Sequence, residues 1–293
     1  MTQTQVIIDS DPATGVPNRD VDDGLAFLVL LGTPELHVQG ITINFGNVGA
    51  DVGFQVAENL LDLVHATVPL YKGAQSKADL GKSNPAVDFM IETVRSQPGE
   101  ISLLALGPLT NVATAMLLDP GFADNLKELV IMGGSFHFQP FSFFGEFNFH
   151  LDGRAASITL SAPCKKTLIS MDVCSQAVFR KEQLRLLESH ASPVSRYLAQ
   201  AIRPWLELNR KVFIRAQGFF PWDVVAAAYI IDPTLFDENY CSLSVRETGL
   251  RSGSFHAVRR LDQGDDGKRA INAPLKLDSE RFMAMFMAGL LKF

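Results

Sequence analysis

The clearest signal of the fold is the segment VIIDSDPATGVPNRDVDDGLAFLVLL, Val6–Leu31. Gln5–Ile8 is rich in β-branched residues and is followed by acidic residues, so it predicts a buried strand. Asp22–Leu31 predicts a helix that is apolar on most sides. A strand that is apolar throughout, followed by such a helix, is typical of a parallel sheet covered on both faces.

The same alternation of apolar strands and helices continues along the chain. Further strands are predicted at Val38–Ile43, Val68–Tyr71, Ile101–Leu106, Leu129–Met132 and Thr167–Val173. Further helical segments are predicted at Val52–Val64, Thr110–Leu118, Ala155–Leu160, Lys181–Ala216, Trp222–Ile231 and Ser279–Leu291. We therefore expect an α/β fold with an open, mostly parallel sheet flanked by helices, in a single domain spanning 1–293.

Composition indicates a folded globular protein. Of 293 residues, 47% are hydrophobic and 20% are charged, with a net charge of −6. This charge gives no electrostatic reason to bind nucleic acid or an anionic membrane. Three widely spaced cysteines favour reduced, structural thiols, and no signal peptide or membrane-spanning run is recognised. We expect a cytoplasmic protein.

Five aspartates lie close together after the first strand: Asp9, Asp11, Asp20, Asp22 and Asp23. Clustered carboxylates repel one another unless a cation is present, and their hard oxygens suit Ca²⁺ or Mg²⁺. The alternative is that Asp20 caps the following helix, while Asp22 and Asp23 complement its dipole.

A strand ending in Asp-x-Asp fits two classes of enzyme. One is the haloacid-dehalogenase-type phosphohydrolase, which has Thr or Val two residues after the second Asp, where this chain has Ala13. The other is a nucleoside hydrolase, which places a second acidic pair at the start of the next helix, as Asp22-Asp23 does here.

An ordered set of segments along nearly the whole chain resembles the inosine-uridine-preferring nucleoside hydrolase family. They are Asp9–Pro12, Asp22–Ala26, Gly40–Asn47, Leu106–Asn111, Met132–Gly134, Glu146–Asn148 with Asp152, Trp222-Asp223 and Asp278–Phe282. One departure is clear: ten residues separate Asp11 from Asp22, where the family has three.

The resemblance implies a calcium site and a catalytic base. Asp11, Asp23 and Asp223 would supply side-chain oxygens to one Ca²⁺, and Leu106 would supply its backbone carbonyl. Water and two ribose hydroxyls would complete the ligand shell. Asp11 would take the proton of the attacking water.

The resemblance also implies a ribose site that includes Asp223. Its other members match sugar-contacting or sugar-lining positions of the family: Asp22, Asn47, Met132, Glu146 and Asn148. A further ribose-binding Asn of the family aligns with Pro140. For the asparagines and Glu146, turn chemistry at strand ends is the alternative interpretation.

Trp222 stands where family members that accept both purines and pyrimidines have a His acid. Indole cannot donate the needed proton, but it can stack on a purine, so Trp222 predicts purine preference; packing at the helix start is the alternative.

Phe89 is the nearest candidate for a second stacking ring. An aromatic loop would wall the base pocket, pack internally or form a subunit interface: Phe136, Phe138, Phe141, Phe143 and Phe144. His137 and His150 are interpreted as structural.

The predicted function is calcium-dependent hydrolysis of the N-glycosidic bond of ribonucleosides, with purines preferred. The alternatives are a hydrolase of a modified nucleoside or other ribosyl compound, and a ribose-binding homologue in which the long Asp11–Asp22 loop blocks the water. The family resemblance further implies a homo-oligomer, either a dimer or a tetramer.

Overall fold

The computed structural model describes residues 3–137, 145–261 and 270–293. Their strands are β1 (Thr4–Ser10), β2 (Leu36–Ile43), β3 (Leu70–Lys72), β4 (Ile101–Ala105), β5 (Glu128–Met132), β6 (Lys166–Ile169), β7 (Tyr240–Val245), β8 (Phe255–Arg260) and β9 (Ile271–Asn272). They form one sheet in the order β3-β2-β1-β4-β5-β6-β9-β7-β8.

The pairing confirms an open, mostly parallel sheet. Every pair from β3 to β9 is parallel, whereas β7 runs antiparallel to both β9 and β8. At the centre, Asp9 of β1 lies opposite Thr42 of β2 and Ala105 of β4. The chain first builds outward from β1 through β2 to β3, and then crosses to β4 on the other side. The carboxyl ends of β1 and β4 therefore flank a topological switch point, where open α/β sheets bind ligands.

Helices cover the sheet. They are α1 (Asp22–Leu31), α2 (Ala50–Leu63), α3 (Pro85–Ser96), α4 (Thr110–Leu118), α5 (Phe122–Asn125), α6 (Phe147–Leu151), α7 (Gly153–Ser161), α8 (Met171–Cys174), α9 (Lys181–Ser189), α10 (Pro193–Val212), α11 (Trp222–Ile231) and α12 (Ser279–Leu290). None of these helices has both the length and the apolar character needed to cross a membrane, within the part of the chain that the structure describes.

Alternation along β1 divides the core between the two faces of the sheet. Val6 and Ile8 belong to a cluster with residues of α1, α11 and α12, whereas Ile7 belongs to a second cluster with residues of α3, α4 and α7. Fully burying an aliphatic side chain stabilises the fold by roughly 1.5–3 kcal/mol. Burial on both faces explains why the central strands are apolar throughout and do not alternate with polar residues.

Two predicted segments end differently in the structure. The strand predicted at Thr167–Val173 stops at Ile169, because the chain turns into α8 at Met171. A short apolar run does not distinguish a strand from a buried helical turn. The segment Lys181–Ala216 forms two helices, α9 and α10, and α10 begins with Pro193 after Ser192, whose hydroxyl accepts a hydrogen bond from the Ser195 N–H (2.9 Å).

Candidate active site

Asp11 lies at the switch point of the sheet, immediately after β1, and is 1% exposed. Its Oδ2 accepts a hydrogen bond from the Asn47 backbone N–H (2.5 Å). Its Oδ1 is buried and has no hydrogen-bond partner among the described residues. The backbone must stay close to this carboxylate, because a Cβ at Gly46 would lie 1.9 Å from Asp11 Oδ2. A buried carboxylate oxygen without a donor is costly unless a ligand completes it.

Three further carboxylates gather beside Asp11. Oxygens of Asp22, Asp23 and Asp223 all lie within 4.8 Å of one another. Asp22 and Asp23 form the first turn of α1, and Asp223 lies in the first turn of α11. The Asp223 N–H donates to Asp22 Oδ2 (3.0 Å), and the Asp11 N–H donates to Asp23 Oδ1 (3.2 Å). Residues about two hundred positions apart in the chain thus share one site.

Burial changes the protonation of this cluster. It raises the pKa of Asp9 to about 7 and the pKa of Asp23 to about 7, and the Asp22 charge adds to the effect on Asp23. The pKa values of Asp11, Asp22 and Asp223 are raised well above the usual range, chiefly by burial and then by neighbouring carboxylates. Such a cluster cannot carry its full negative charge without a compensating cation. Its all-oxygen donor set fits a hard divalent ion.

The backbone carbonyl of Leu106, the predicted main-chain ligand, comes directly after β4 and lines the same cavity as Asp11. It accepts a hydrogen bond from Asn148 Nδ2 (2.6 Å). The same Nδ2 lies 3.4 Å from the Met132 carbonyl oxygen. Asn148 thereby connects the ends of β4 and β5 across the site.

Glu146 sits at the start of α6 and is 4% exposed. Its carboxylate accepts hydrogen bonds from the backbone N–H groups of Gly134 (3.0 Å), Asn148 (2.7 Å) and Phe149 (3.0 Å). Burial nevertheless raises its pKa. The turn interpretation and the ribose interpretation are therefore compatible: Glu146 caps a short helix while facing the cavity.

A cavity of about 690 Å³ collects the predicted site residues. Its walls include these predicted residues: Asp11, Asp22, Asn47, Leu106, Met132, Glu146, Asn148, Trp222 and Asp223. Asp23 does not line it; this residue is fully buried, and the Ser10 hydroxyl and Asn47 Nδ2 donate to its carboxylate.

One wall of the cavity was not predicted from the sequence. Helix α10 contributes Trp205, Leu208, Asn209 and Val212, and Phe213 follows at its end. The spacing of these residues places them on one helical face. The only signal in the sequence was the helical periodicity of this segment, which does not tell which element the face will meet. The cavity thus has a carboxylate-rich region and an apolar region, and Trp222 lies in its lining as well.

The structure places Phe89 away from the cavity. Its ring stacks on Tyr71, with centroids 4.0 Å apart and an interplanar angle of 12°. Phe136 packs near Phe255, with ring centroids 5.0 Å apart. His150 lines the cavity, and its Nδ1 lies 3.1 Å from the Ser252 carbonyl oxygen. The remaining residues of the aromatic loop, together with Pro140, lie outside the described residues: Phe138, Phe141, Phe143 and Phe144.

Comparison with known proteins identifies the family to which this chain belongs. The chain matches the model of the inosine-uridine preferring nucleoside hydrolase family over residues 6–284, and it belongs to that family. It is therefore a ribonucleoside N-ribohydrolase, an enzyme that cleaves the bond between ribose and base. Membership of this family replaces the phosphohydrolase interpretation of the Asp-x-Asp strand.

Individual relatives differ in the base that their names give. A probable uridine nucleosidase 2 of Arabidopsis thaliana is 25% identical to this chain over 98% of both sequences. A solved plant nucleoside hydrolase, PpNRh1, has a TM-score of 0.86 at 24% identity and covers 99% of both chains. A purine-preferring ribonucleoside hydrolase of Gardnerella vaginalis has a TM-score of 0.84 at 24% identity over 98% of both chains. Family membership thus leaves the base preference open.

Proposed function

We propose that this enzyme hydrolyses purine ribonucleosides in preference to pyrimidine ribonucleosides, and that it depends on Ca²⁺. The observation that carries the proposal is the unpartnered, buried Oδ1 of Asp11, which lies beside three further carboxylates in a cavity whose lining includes Trp222. The carboxylates would bind the ion and the sugar, and the tryptophan would stack on the base.

The ion would be held by Asp11, Asp23, Asp223 and the Leu106 carbonyl, with Asp22 close enough to join them. Such a site offers several oxygen ligands, both carboxylate and carbonyl. This ligand set favours Ca²⁺ over the softer transition metals. When bound, the cation would supply the positive charge that makes a nearby water easier to deprotonate.

The ribose would be bound by these polar side chains: Asp22, Asn47, Glu146, Asn148 and Asp223. Met132 would pack against the sugar ring. These groups are held by backbone contacts, as the three N–H donors to Glu146 illustrate. A site built to bind hydroxyl groups discriminates against a sugar that lacks them, because its own buried polar groups would be left unpaired.

In the reaction, Asp11 accepts a proton from water as the water oxygen bonds to C1′ of the ribose. The bond from C1′ to the base nitrogen breaks, and its electron pair leaves with the base. The transition state resembles an oxocarbenium ion, as in other glycosyl transfers. Trp222 stacks on the departing ring, and a purine offers it more area than a pyrimidine.

A modified nucleoside is the second candidate substrate, and one observation favours it. The apolar wall of the cavity reaches solvent through Leu208 (37% exposed) and Val212 (49% exposed). A substituent on the base could extend along these side chains without displacing the ribose.

The direct test is kcat/KM for inosine, adenosine, guanosine, uridine and cytidine, measured with Ca²⁺ and after its removal by a chelator. We expect purines to be turned over fastest and chelation to abolish activity. Equal or faster hydrolysis of the pyrimidines would overturn the stacking proposal, and activity that survives chelation would overturn the metal proposal.

A cytoplasmic location, a single domain and a homo-oligomeric state stay predictions. Sedimentation velocity at several protein concentrations tests the last of these, with a dimer or tetramer expected and a monomer at all concentrations contradicting it.

A further inference from the structure

The long loop between Asp11 and Asp22 forms part of the cavity wall. Asn18, Arg19 and Asp20, near its end, line the cavity beside the carboxylates. The family resemblance accounts for the aspartates on either side of this loop and leaves the loop itself without a role.

The loop is held by a defined set of contacts. The Thr14 hydroxyl donates to the Val21 carbonyl (2.8 Å), so the two ends of the loop are tied together. Inside it, the Val16 N–H donates to the Ala13 carbonyl (2.9 Å) and the Arg19 N–H donates to the Val16 carbonyl (3.2 Å). Thr14 is 2% exposed, so this part of the loop is anchored in the protein interior.

Two contacts place the loop beside the apolar wall. The hydroxyl of Tyr197, on α10, donates to the Thr14 carbonyl (3.3 Å), and α10 carries Trp205 two turns further on. At the other end of the loop, Asp22 accepts a hydrogen bond from the N–H of Asp223, the residue after Trp222. The loop therefore contacts α10 near one end and adjoins the start of α11 at the other, and the tryptophans of both helices line the same cavity as Arg19.

Arg19 is the one residue with a permanent positive charge among the described residues that line this cavity. Its guanidinium forms no ion pair and no side-chain hydrogen bond with another described residue. An unengaged guanidinium fits a planar partner that offers two acceptors.

Cleavage of the N-glycosidic bond turns the departing base into such a partner. The base leaves with the electron pair of the broken bond, and Trp222 cannot protonate it. Where the ring carries a carbonyl oxygen, the negative charge spreads onto that oxygen. A cation placed there stabilises the transition state more than the ground state, because the charge develops only as the bond breaks.

We propose that Arg19 stabilises the departing base as an anion and thereby favours bases that carry a ring carbonyl, such as hypoxanthine and guanine, over adenine. This deepens the proposed function and rests on it. The water oxygen ends on ribose, one water proton goes to Asp11, and the base anion takes a proton from solvent after release.

The test compares Arg19→Gln and Arg19→Lys with wild type on inosine, adenosine and p-nitrophenyl β-D-ribofuranoside, whose leaving group needs no stabilisation. Arg19→Gln should lower kcat/KM for inosine by roughly 100-fold or more, the order expected for a lost transition-state donor. The same variant should change p-nitrophenyl riboside hydrolysis by less than about 3-fold, since positioning of ribose and water is untouched. Arg19→Lys should recover part of the inosine activity, because it keeps the charge.

The control is Arg185→Gln on the exposed side of α9, which should leave all three rates unchanged. Equal losses on all three substrates would assign Arg19 a structural role, and unchanged inosine hydrolysis would remove it from the reaction; either result overturns the inference. If wild type prefers uridine, the purine proposal fails alone, and Arg19 is then tested on uridine against the p-nitrophenyl riboside. If wild type hydrolyses no nucleoside, the proposed function and this inference fall together.

Discussion

The cavity has two regions that the sequence encodes in different ways. The carboxylate region is built from residues that directly follow strands or open helices, such as Asp11, Asp22 and Asp223. The apolar region is built from the side of α10 and from Trp222, and the loop before Asp22 adds polar residues to the same cavity. The first region is fixed by the sheet, where strand ends must meet. The second depends on how peripheral segments pack, so it is free to differ between relatives that hydrolyse different nucleosides.

The largest expected effect comes from the carboxylate region. Asp11→Asn should lower kcat by about 1,000-fold or more, because it removes the base that takes the water proton. Steady-state kinetics with inosine measure the loss, and circular dichroism checks the fold. Asp62→Asn, an exposed position on α2, is the matched control. An Asp11→Asn enzyme that kept wild-type kcat would remove Asp11 as the base.

The apolar region should affect the choice of base. Trp222→Ala should lower kcat/KM for inosine by roughly 10-fold, in line with the stacking of one base on an aromatic ring, and for uridine by less. Trp205→Ala tests whether α10 contributes to the same preference. Phe89→Leu is the control, because its ring stacks on Tyr71 outside the cavity and should leave the ratio of the two substrates unchanged. Equal losses on inosine and uridine in Trp222→Ala would contradict stacking.

A smaller effect concerns stability and pH. In the folded protein the pKa of Asp9 and the pKa of Asp23 are both raised to about 7, from an unfolded value of about 3.9. The folded state therefore holds these protons more tightly, so their contribution to stability is complete below about pH 4 and is lost as the pH rises through 7. Metal-free protein should melt roughly 5 °C lower at pH 8 than at pH 5.5, and Ca²⁺ should remove most of this difference by binding the charged form.

Thermal melts at the two pH values, with chelator and with CaCl₂, measure the effect. Asp23→Asn should weaken the pH dependence in the chelator-treated sample, because it removes one of the titrating carboxyl groups. If the metal-free protein became more stable between pH 5.5 and pH 8, this result would contradict the raised pKa values of Asp9 and Asp23.

Much of the fold was predictable because its signals are local. The predicted bounds of Asp22–Leu31, Thr110–Leu118 and Trp222–Ile231 agree with the structure. The grouping of Asp11 with Asp23 and Asp223 was implied by the family resemblance; in the structure these residues follow β1 or lie in the first turns of α1 and α11. Helix α3 was not predicted, although Asn84 and Pro85 form a cap and first turn of the kind that sequence can indicate.

Apart from Trp222, the base region could not be predicted, because its residues come together only through tertiary packing. Trp205 belongs to a helix whose periodicity shows that one face is buried, but not against what. Arg19 lies in a loop with no periodicity, and its position follows from the contact between Thr14 and Tyr197, 183 residues apart. Phe89 is the opposite case. It lies close in sequence to the position where a second stacking ring was expected, yet its ring packs on Tyr71 outside the cavity.

The central claim is that three carboxylates from distant parts of the chain, together with the Leu106 carbonyl, hold one divalent ion at the switch point of the sheet. Calorimetric titration of chelator-treated protein with CaCl₂ measures this directly, and repeating it with Asp223→Asn tests the assigned ligands. We expect one Ca²⁺ per chain in the wild type and binding that is weakened by about 100-fold or more in the variant, as a lost charged ligand would cause. No binding by wild type, or equal binding by both proteins, would contradict the account.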